Sequence, residues 1–328
     1  MDAKITKKRL GTMLSYDWGK MLLAILSFIL VWAIVFSSSA TKITPPQTFT
    51  IYYYPGVEGG EDYYGLGAIA KREGVFSYDV LETHSTNMGK KEEGARDLLL
   101  AQLPSQEGDV LFAVDSTYKS KKEYEVDGVK YTPTYLEQFL IRFENYAREV
   151  DGENGLLTEM KAYLLRYYDE TLQVMDEGKV EKDFKARVKK LNDKRFNSQK
   201  EFKKGLPREI ERIALLKKNY EEFLGYLNEG IITLEHCLFH RQNYDESYIT
   251  YEGNYAINLN KDGKNQNNRL MNVAYGYKEG EEGEKTRTTE NLCVVLLDPA
   301  KSKYSYGKFE SISFVNFIVR QYILPYLN

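Results

Sequence analysis

The sequence predicts an α/β protein with an N-terminal transmembrane helix and a large helical block. Three observations support this fold class. An apolar run occupies residues 21–40, strand and helix patterns alternate over residues 49–133, and amphipathic helical patterns fill residues 134–230. With 328 residues, of which 42% are apolar, the chain is long enough to bury a sizeable core in one large or two small domains.

The apolar run predicts a single crossing of a membrane. Residues 21–36 read "MLLAILSFILVWAIVF" and carry no charge, and with residues 37–40 they reach the length that a bilayer requires. Basic residues outnumber acidic ones in the tail, residues 1–20. The positive-inside rule therefore places the N-terminus in the cytoplasm and residues 41–328 outside, with the lipid bilayer as the partner of residues 21–40.

Two features of this region have alternative interpretations. Ser38 and Ala40 could form the cleavage site of a signal peptide, but the length of the apolar run favours a retained helix. No cysteine lies near the end of the run, which argues against a lipoprotein. Cys237 and Cys293 could form a disulfide outside the cell or remain two buried free thiols, and the sequence leaves this choice open.

After a linker, residues 41–48, the chain alternates between strand and helix patterns up to residue 133. The strand patterns are "TFTIYYY", "FSYDVLETHS" and "GDVLFAVD", and the helix patterns are "YGLGAIAKREG" and "KEEGARDLLLAQLPSQEG". This order predicts a βαβαβ unit with parallel strands and right-handed crossovers. The charged stretch "KKEYEVDGVK" that follows predicts a solvated hairpin.

The rest of the chain divides into a helical block and a mixed segment. Residues 134–230 show apolar residues at three-four spacing, and Pro207 is expected in the first turn of the last helix. Residues 231–328 return to mixed α/β structure. Their patterns are a hairpin around Gly253 in "YITYEGNYAINLN", strands in "RLMNVAYGYK" and "ENLCVVLLD", and a helix in "GKFESISFVNFIVRQYIL".

The succession "ARDLLLAQLPSQEGDVLFAVD", "EGNYAINL" and "FESISFVNFIVRQYI" resembles the extracellular solute-binding proteins of bacterial ABC transporters, which have the type II periplasmic-binding fold. The resemblance covers most of residues 47–328 in the order of elements. It implies a divergent, membrane-anchored member in the cell membrane of a Gram-positive bacterium, which binds a small polar solute, such as a sugar, between two lobes and works with an ABC permease. The alternative is a ligand-free structural, assembly or sensing subunit of a membrane complex with the same fold.

Doubly wound sheets bind ligands at the carboxyl ends of their parallel strands. That rule predicts a ligand site in the segments that follow the first and third strands. The candidate residues are Tyr53, Tyr54, Glu58, Asp115, Ser116 and Tyr118. Tyrosine rings can stack on a ligand and carboxylates can accept hydrogen bonds from its hydroxyl groups, although the same residue types also serve as ordinary loop caps.

Motifs for catalysis, cofactors and metals are weak throughout. His236 and His240 in "HCLFH" would form half of a metal site on a helix, but the zincin glutamate is missing and a structural or surface role is favoured. The sequence holds no GxGxxG, GxxxxGK[ST] or GxSxG motif. The formal net charge is only -3, without a basic arm that would bind nucleic acid. We therefore expect no enzyme, no cofactor, no bound metal and no nucleic-acid partner.

Overall fold

The structure, a computed structural model, describes residues 7–39, 43, 47–89, 92–105, 107–116, 124–126, 129–242, 248–265, 267–279, 284–298 and 309–327. The chain divides into two compact units, Met1–Ile43 and Thr44–Asn328. The first is a single helix, and the second is a mixed α/β domain.

The helix of the first unit, α1, covers Lys7–Ser39 and is 33 residues long. Within it, Trp18–Phe36 has a mean hydropathy of 2.3 and is long and apolar enough to cross a membrane. The side chains of this segment are exposed, including Phe28 and Trp32. A continuous apolar surface of this length is stable in lipid rather than in water. In the part of the chain that the structure describes, no second helix has these properties.

The second unit is built from short strands and seven further helices in the described residues. The strands are β1 Thr48–Tyr53, β2 Glu58–Gly59, β3 Glu82–Asn87, β4 Val110–Val114, β5 Tyr124–Val126, β6 Val129–Tyr131, β7 Thr233–Gln242, β8 Tyr248–Asn258, β9 Ala274–Glu279, β10 Lys285–Thr288 and β11 Leu292–Leu296. The helices are α2 Leu66–Arg72, α3 Glu92–Gln102, α4 Tyr135–Phe143, α5 Leu156–Leu164, α6 Glu177–Leu191, α7 Gln199–Asn228 and α8 Glu310–Ile318.

Six strands form one mixed sheet in the order β3-β1-β4-β11-β8-β7. Strand β1 pairs in parallel with β3 and with β4, which confirms the predicted parallel βαβαβ unit. Strand β11 returns antiparallel between β4 and β8, and β7 pairs antiparallel with β8. Strands β5 and β6 form the predicted hairpin. The first and last parts of the domain thus share one sheet.

Helices cover both faces of this sheet because successive side chains of its buried strands point to opposite sides. On one face Ile51 and Tyr53 of β1 pack with α2, α5, α7 and α8. On the other face Tyr52 and Tyr54 pack with α3 and α4. The predicted helical block therefore contributes to both layers.

The start of α7 differs from the prediction for Pro207. This helix begins at Gln199, where the Ser198 hydroxyl accepts a hydrogen bond from the Glu201 N–H, and Pro207 lies in the helix interior. The prediction of a first-turn proline was wrong because the charged residues before it continue the helix from an earlier cap. A proline in this position removes one backbone hydrogen bond from the helix.

The predicted turn at Gly253 was also wrong. Strand β8 runs straight through this residue, which pairs with Cys237 of β7, and the connection between the two strands falls on residues 243–247, outside the described residues. A Cβ atom at Gly253 would lie 2.8 Å from Glu149 Oε1. The close approach of the Glu149 side chain, and not a turn, therefore explains why residue 253 is a glycine.

Candidate functional site

The two tyrosines of the predicted ligand site, Tyr53 and Tyr54, are buried in the core, at 0% and 3% exposure. The Tyr53 ring stacks on Phe112 at a centroid distance of 5.0 Å and meets the edge of Tyr63 at 5.1 Å. The Tyr54 ring lies edge-on to Phe139 on the other face of the sheet, at 5.3 Å. Their rings fill the carboxyl end of β1 on both faces, so neither is presented to solvent.

Burial also changes the chemistry of the Tyr53 phenol. Its hydroxyl makes no hydrogen bond to any described residue, and loss of solvent contact raises the pKa of this group. The phenol therefore stays protonated.

Two other predicted residues, Glu58 and Ser116, are partly exposed. The Tyr275 hydroxyl donates a hydrogen bond to Glu58 Oε2 at 3.3 Å, which ties β2 to β9. The Ser116 carbonyl accepts a hydrogen bond from the Tyr135 N–H at 3.0 Å, just before α4. Tyr118 lies outside the described residues.

Asp115 is the predicted residue with the richest polar surroundings. Its carboxyl hydrogen-bonds with the side chains of Thr134 and Glu235, and burial, followed by the charge of Glu235, raises its pKa. Thr134 is also the N-cap of α4, where its hydroxyl accepts a hydrogen bond from the Glu137 N–H at 3.1 Å. The raised pKa of Asp115 favours its protonated form beside the Glu235 carboxylate.

Glu235 connects this pair to the segment that follows β8. Its Oε1 and Oε2 accept hydrogen bonds from Lys261 Nζ at 2.7 and 2.9 Å. Asn258 Nδ2 donates a further hydrogen bond to Glu235 Oε2 at 2.8 Å. The ammonium and amide donors balance a buried carboxylate, so the network fixes the ends of β4, β7 and β8 together.

A loop rich in asparagine follows β8. The asparagines of this region are Asn258, Asn260, Asn265, Asn267, Asn268 and Asn272. Asn258 Oδ1 accepts a hydrogen bond from the Asn260 N–H at 3.0 Å, and Asn260 Oδ1 accepts one from the Asn265 N–H at 3.0 Å. Asn260 Nδ2 donates to Thr289 Oγ1 at 2.9 Å. Side-chain amides thus hold the loop where no regular ladder does.

This asparagine loop, residues 258–268, forms one wall of a cleft of about 540 Å³. The other walls are the segment between α7 and β7 and the last residues of the chain. The lining residues are Glu229, Gly230, Ile231, Thr233, Asn258, Leu259, Asn260, Lys261, Lys264, Asn265, Asn267, Tyr326 and Leu327. The cleft lies where β8 ends and β7 begins, and its size is within the range of small-molecule sites, about 300–1,000 Å³.

Two polar groups in the walls of the cleft lack hydrogen bonds. Thr233 Oγ1 and Asn265 Nδ2 are buried, and neither has a partner among the described residues. Leaving such a group unsatisfied costs about 1–3 kcal/mol. A ligand oxygen within hydrogen-bond distance of either group would remove that group's cost.

The remaining polar side chains of the cleft combine amides, which both donate and accept hydrogen bonds, with lysine donors. Lys264 and Asn267 are exposed, and Glu229 is the one carboxylate among the lining residues. Such a surface favours ligands rich in hydroxyl, carbonyl or carboxylate oxygen. None of the predicted site residues lines this cleft, although the asparagine cluster "NLNKDGKNQNN" is a signal for a polar loop.

The cysteines and histidines take no part in the cleft. Cys237 and Cys293 are buried free thiols on β7 and β11, which are separated by β8, so the disulfide alternative was wrong. Burial raises the pKa of Cys237 to about 12. His236 and His240 lie on β7, close to Glu252 and Thr250. The described residues contain no group of three or more His, Cys, Asp or Glu side chains that could hold a metal ion.

Comparisons with protein-family models, with curated proteins and with solved structures found no match for this chain. The geometry of the described residues is therefore the basis of the functional argument.

Proposed function

We propose that this protein is a membrane-tethered extracytoplasmic domain that binds a small polar solute in the cleft beside the asparagine loop. One observation carries the proposal: Thr233 Oγ1 and Asn265 Nδ2 have no hydrogen-bond partner among the described residues, and both residues line the same cleft. The position of the cleft, at the end of β8 in an α/β sheet, supports it further.

The membrane tether in this proposal is α1. Its segment Trp18–Phe36 has the length and hydropathy of a membrane span. The excess of basic residues in the tail supports a cytoplasmic N-terminus and an outer domain. The cell membrane of a Gram-positive bacterium is the location that the resemblance suggests. An ABC permease is the partner that the resemblance suggests.

The proposed type II periplasmic-binding fold rests on the parallel βαβαβ unit and on the strand that returns beside it. The cleft, however, lies at the edge of one six-stranded sheet within one compact unit. Binding in this cleft requires no closure of two lobes.

A thermal-shift screen of the full chain in an uncharged detergent tests the proposal. The ligands are sugars, amino acids and short peptides. A ligand at 100 times its dissociation constant adds about 2.7 kcal/mol of stability to the folded state. We expect a shift with at least one class, and no shift with any of them would contradict the proposal.

The variant Thr233→Val tests whether the ligand binds in this cleft. It removes the unpaired hydroxyl and keeps the shape of the side chain, so the free protein should remain folded. Binding should weaken roughly fivefold, since one lost hydrogen bond is worth about 1 kcal/mol. Thr86→Val on β3 is the matched control and should bind normally. Equal effects of the two variants would place the ligand elsewhere.

One observation favours a second function. The predicted ligand tyrosines, Tyr53 and Tyr54, fill the carboxyl end of β1 from within the core. A domain of this kind can act as a ligand-free assembly or sensing subunit of a membrane complex. Absence of any ligand shift, together with co-purification of membrane proteins with the detergent-solubilised chain, would favour it.

A further inference from the structure

A second groove, of about 380 Å³, shares no lining residue with the cleft beside the asparagine loop. It lies between α3, the end of α4 and the hairpin of β7 and β8. Arginine side chains from three of these elements line it, namely Arg96, Arg142 and Arg241. Apolar side chains such as Leu100 and Tyr248 complete its walls.

The positive charge of this groove is only partly balanced. Arg241 Nη1 lies 3.6 Å from Glu144 Oε2, so this guanidinium has a carboxylate partner. Arg142 Nε and Nη2 lie 2.8 Å from the amide oxygen of Gln138, when that oxygen is turned toward them, and this partner is neutral. For Arg96 no ion pair is found with any side chain that the structure describes. Among the side chains that the structure describes, these two guanidinium groups therefore have no carboxylate partner.

The apolar walls are exposed to solvent. Leu100 is 48% exposed and Tyr248 is 37% exposed. A water-soluble anion would use only the arginines, whereas a ligand that also carries an apolar body would cover these side chains and gain from their burial.

We propose that this groove binds a phosphate-bearing ligand with an apolar body. Its phosphate lies between Arg96 and Arg142, and its body lies against Leu100 and Tyr248. Guanidinium groups bind phosphate oxygens in bidentate pairs. A phosphate monoester carries a charge of about −1.5 to −2 near pH 7, which matches two unbalanced arginines, whereas a carboxylate would leave one of them unmatched. The site is additional to the solute cleft of the proposed function.

Isothermal titration of the full chain in an uncharged detergent tests this proposal with three probes: phenyl phosphate, inorganic phosphate and benzoate. We expect phenyl phosphate to bind at least tenfold more tightly than the other two, with an affinity that falls as salt is added. Arg96→Gln and Arg142→Gln should each weaken its binding tenfold or more. Arg208→Gln, at an exposed arginine of α7, is the matched control and should leave the affinity unchanged.

Three results would overturn the proposal. They are equal binding of phenyl phosphate and benzoate, equal effects of Arg96→Gln and Arg208→Gln, and loss of binding in Lys264→Gln, which would place the anion in the other cleft. A thermal-shift response to a sugar that persists in Arg96→Gln would separate a failure here from a failure of the proposed solute site. Monomeric dihexanoyl phosphatidic acid shows whether the natural ligand of the groove is a lipid or a soluble phosphate ester. Tighter binding than that of phenyl phosphate indicates a lipid headgroup, and weaker binding indicates a soluble phosphate ester.

Discussion

At the scale of single residues, one cluster of charged side chains in the α/β domain contains a carboxyl group without an ion-pair partner among the described residues. The guanidinium groups are those of Arg187, Arg195 and Arg212, and the nearby carboxyl groups are those of Asp79, Asp193, Glu209 and Glu310. Within the described residues, only Glu310 of these four carboxyls lacks an ion pair; its Oε1 accepts a hydrogen bond from the Ser77 N–H at 3.3 Å. Burial, partly opposed by this hydrogen bond and by Arg212, raises the pKa of Glu310 to about 7.

This raised pKa makes stability depend on pH. From the ordinary pKa of 4.5 up to about 7, the folded protein keeps a proton on Glu310 that the unfolded chain has released. The free energy of unfolding therefore decreases as pH rises through this window, by up to about 1.4 kcal/mol per pH unit for one proton. Burial also raises the pKa of Asp109 to about 7, so Asp109 adds to the same slope.

We predict that Glu310→Gln makes this slope shallower, because the amide cannot titrate. Urea unfolding of the full chain at pH 5, 6 and 7 measures the effect. Glu181→Gln, at an exposed position of α6, is the control and should keep the slope of the natural chain. A slope that Glu310→Gln leaves unchanged would show that Glu310 is already ionised in the folded state.

The residue scale also shows the limit of sequence reasoning about the site. The strand rule singled out Asp115, and the structure places it in the polar network with Glu235. The same rule singled out Tyr53 and Tyr54, whose rings are covered by Phe112 and Phe139. A strand pattern shows where a residue lies along the sheet, but what covers the residue depends on side chains distant in the sequence.

At the scale of elements, local signals located most helices and strands. Apolar runs identified β1, β4 and β11, and three-four spacing identified the helical block. Two of the failures occurred where a glycine or proline was interpreted as a boundary. Gly253 lies within β8 and Pro207 lies within α7, because pairing with β7 and the cap at Ser198 outweigh the local preference.

The end of α6 provides a test at this scale. Its C-cap, Asn192, has the left-handed conformation with φ 50° and ψ 44°. We predict that Asn192→Ala lowers the free energy of unfolding by about 1 kcal/mol. The left-handed backbone conformation is more strained for alanine than for asparagine or glycine. Asn192→Gly should be at least as stable as asparagine. Thermal unfolding of both variants measures the difference, and an alanine variant as stable as the glycine variant would refute the assignment of this cap.

At the scale of the whole molecule, the chain combines one apolar helix with one mixed α/β domain. Hydropathy alone predicted the helix, because a membrane span depends on length and composition. The sequence did not show that these strands share one sheet, since the pairing of β11 with β4 joins residues as distant as Leu292 and Val114, and β8 enters the sheet through β11. The shared sheet explains why the strands that follow the helical block belong to the same compact unit.

The orientation of the chain has a direct test. We predict that protease added to intact cells removes the domain, residues 44–328, and leaves the N-terminal tail protected. Antibodies against tags at the two ends would follow both fragments on a gel. Full protection of the C-terminal tag in intact cells, with loss after lysis, would reverse the proposed topology.

Amide hydrogen exchange of the full chain, with sugars, amino acids and short peptides added in turn, tests the solute-binding claim most directly. The solute cleft predicts slower exchange in residues 258–268 and around Thr233 with at least one of these ligands. The carboxyl end of β1 should exchange as before. Slower exchange only at the end of β1, or no change with any ligand, would contradict a solute site beside the asparagine loop.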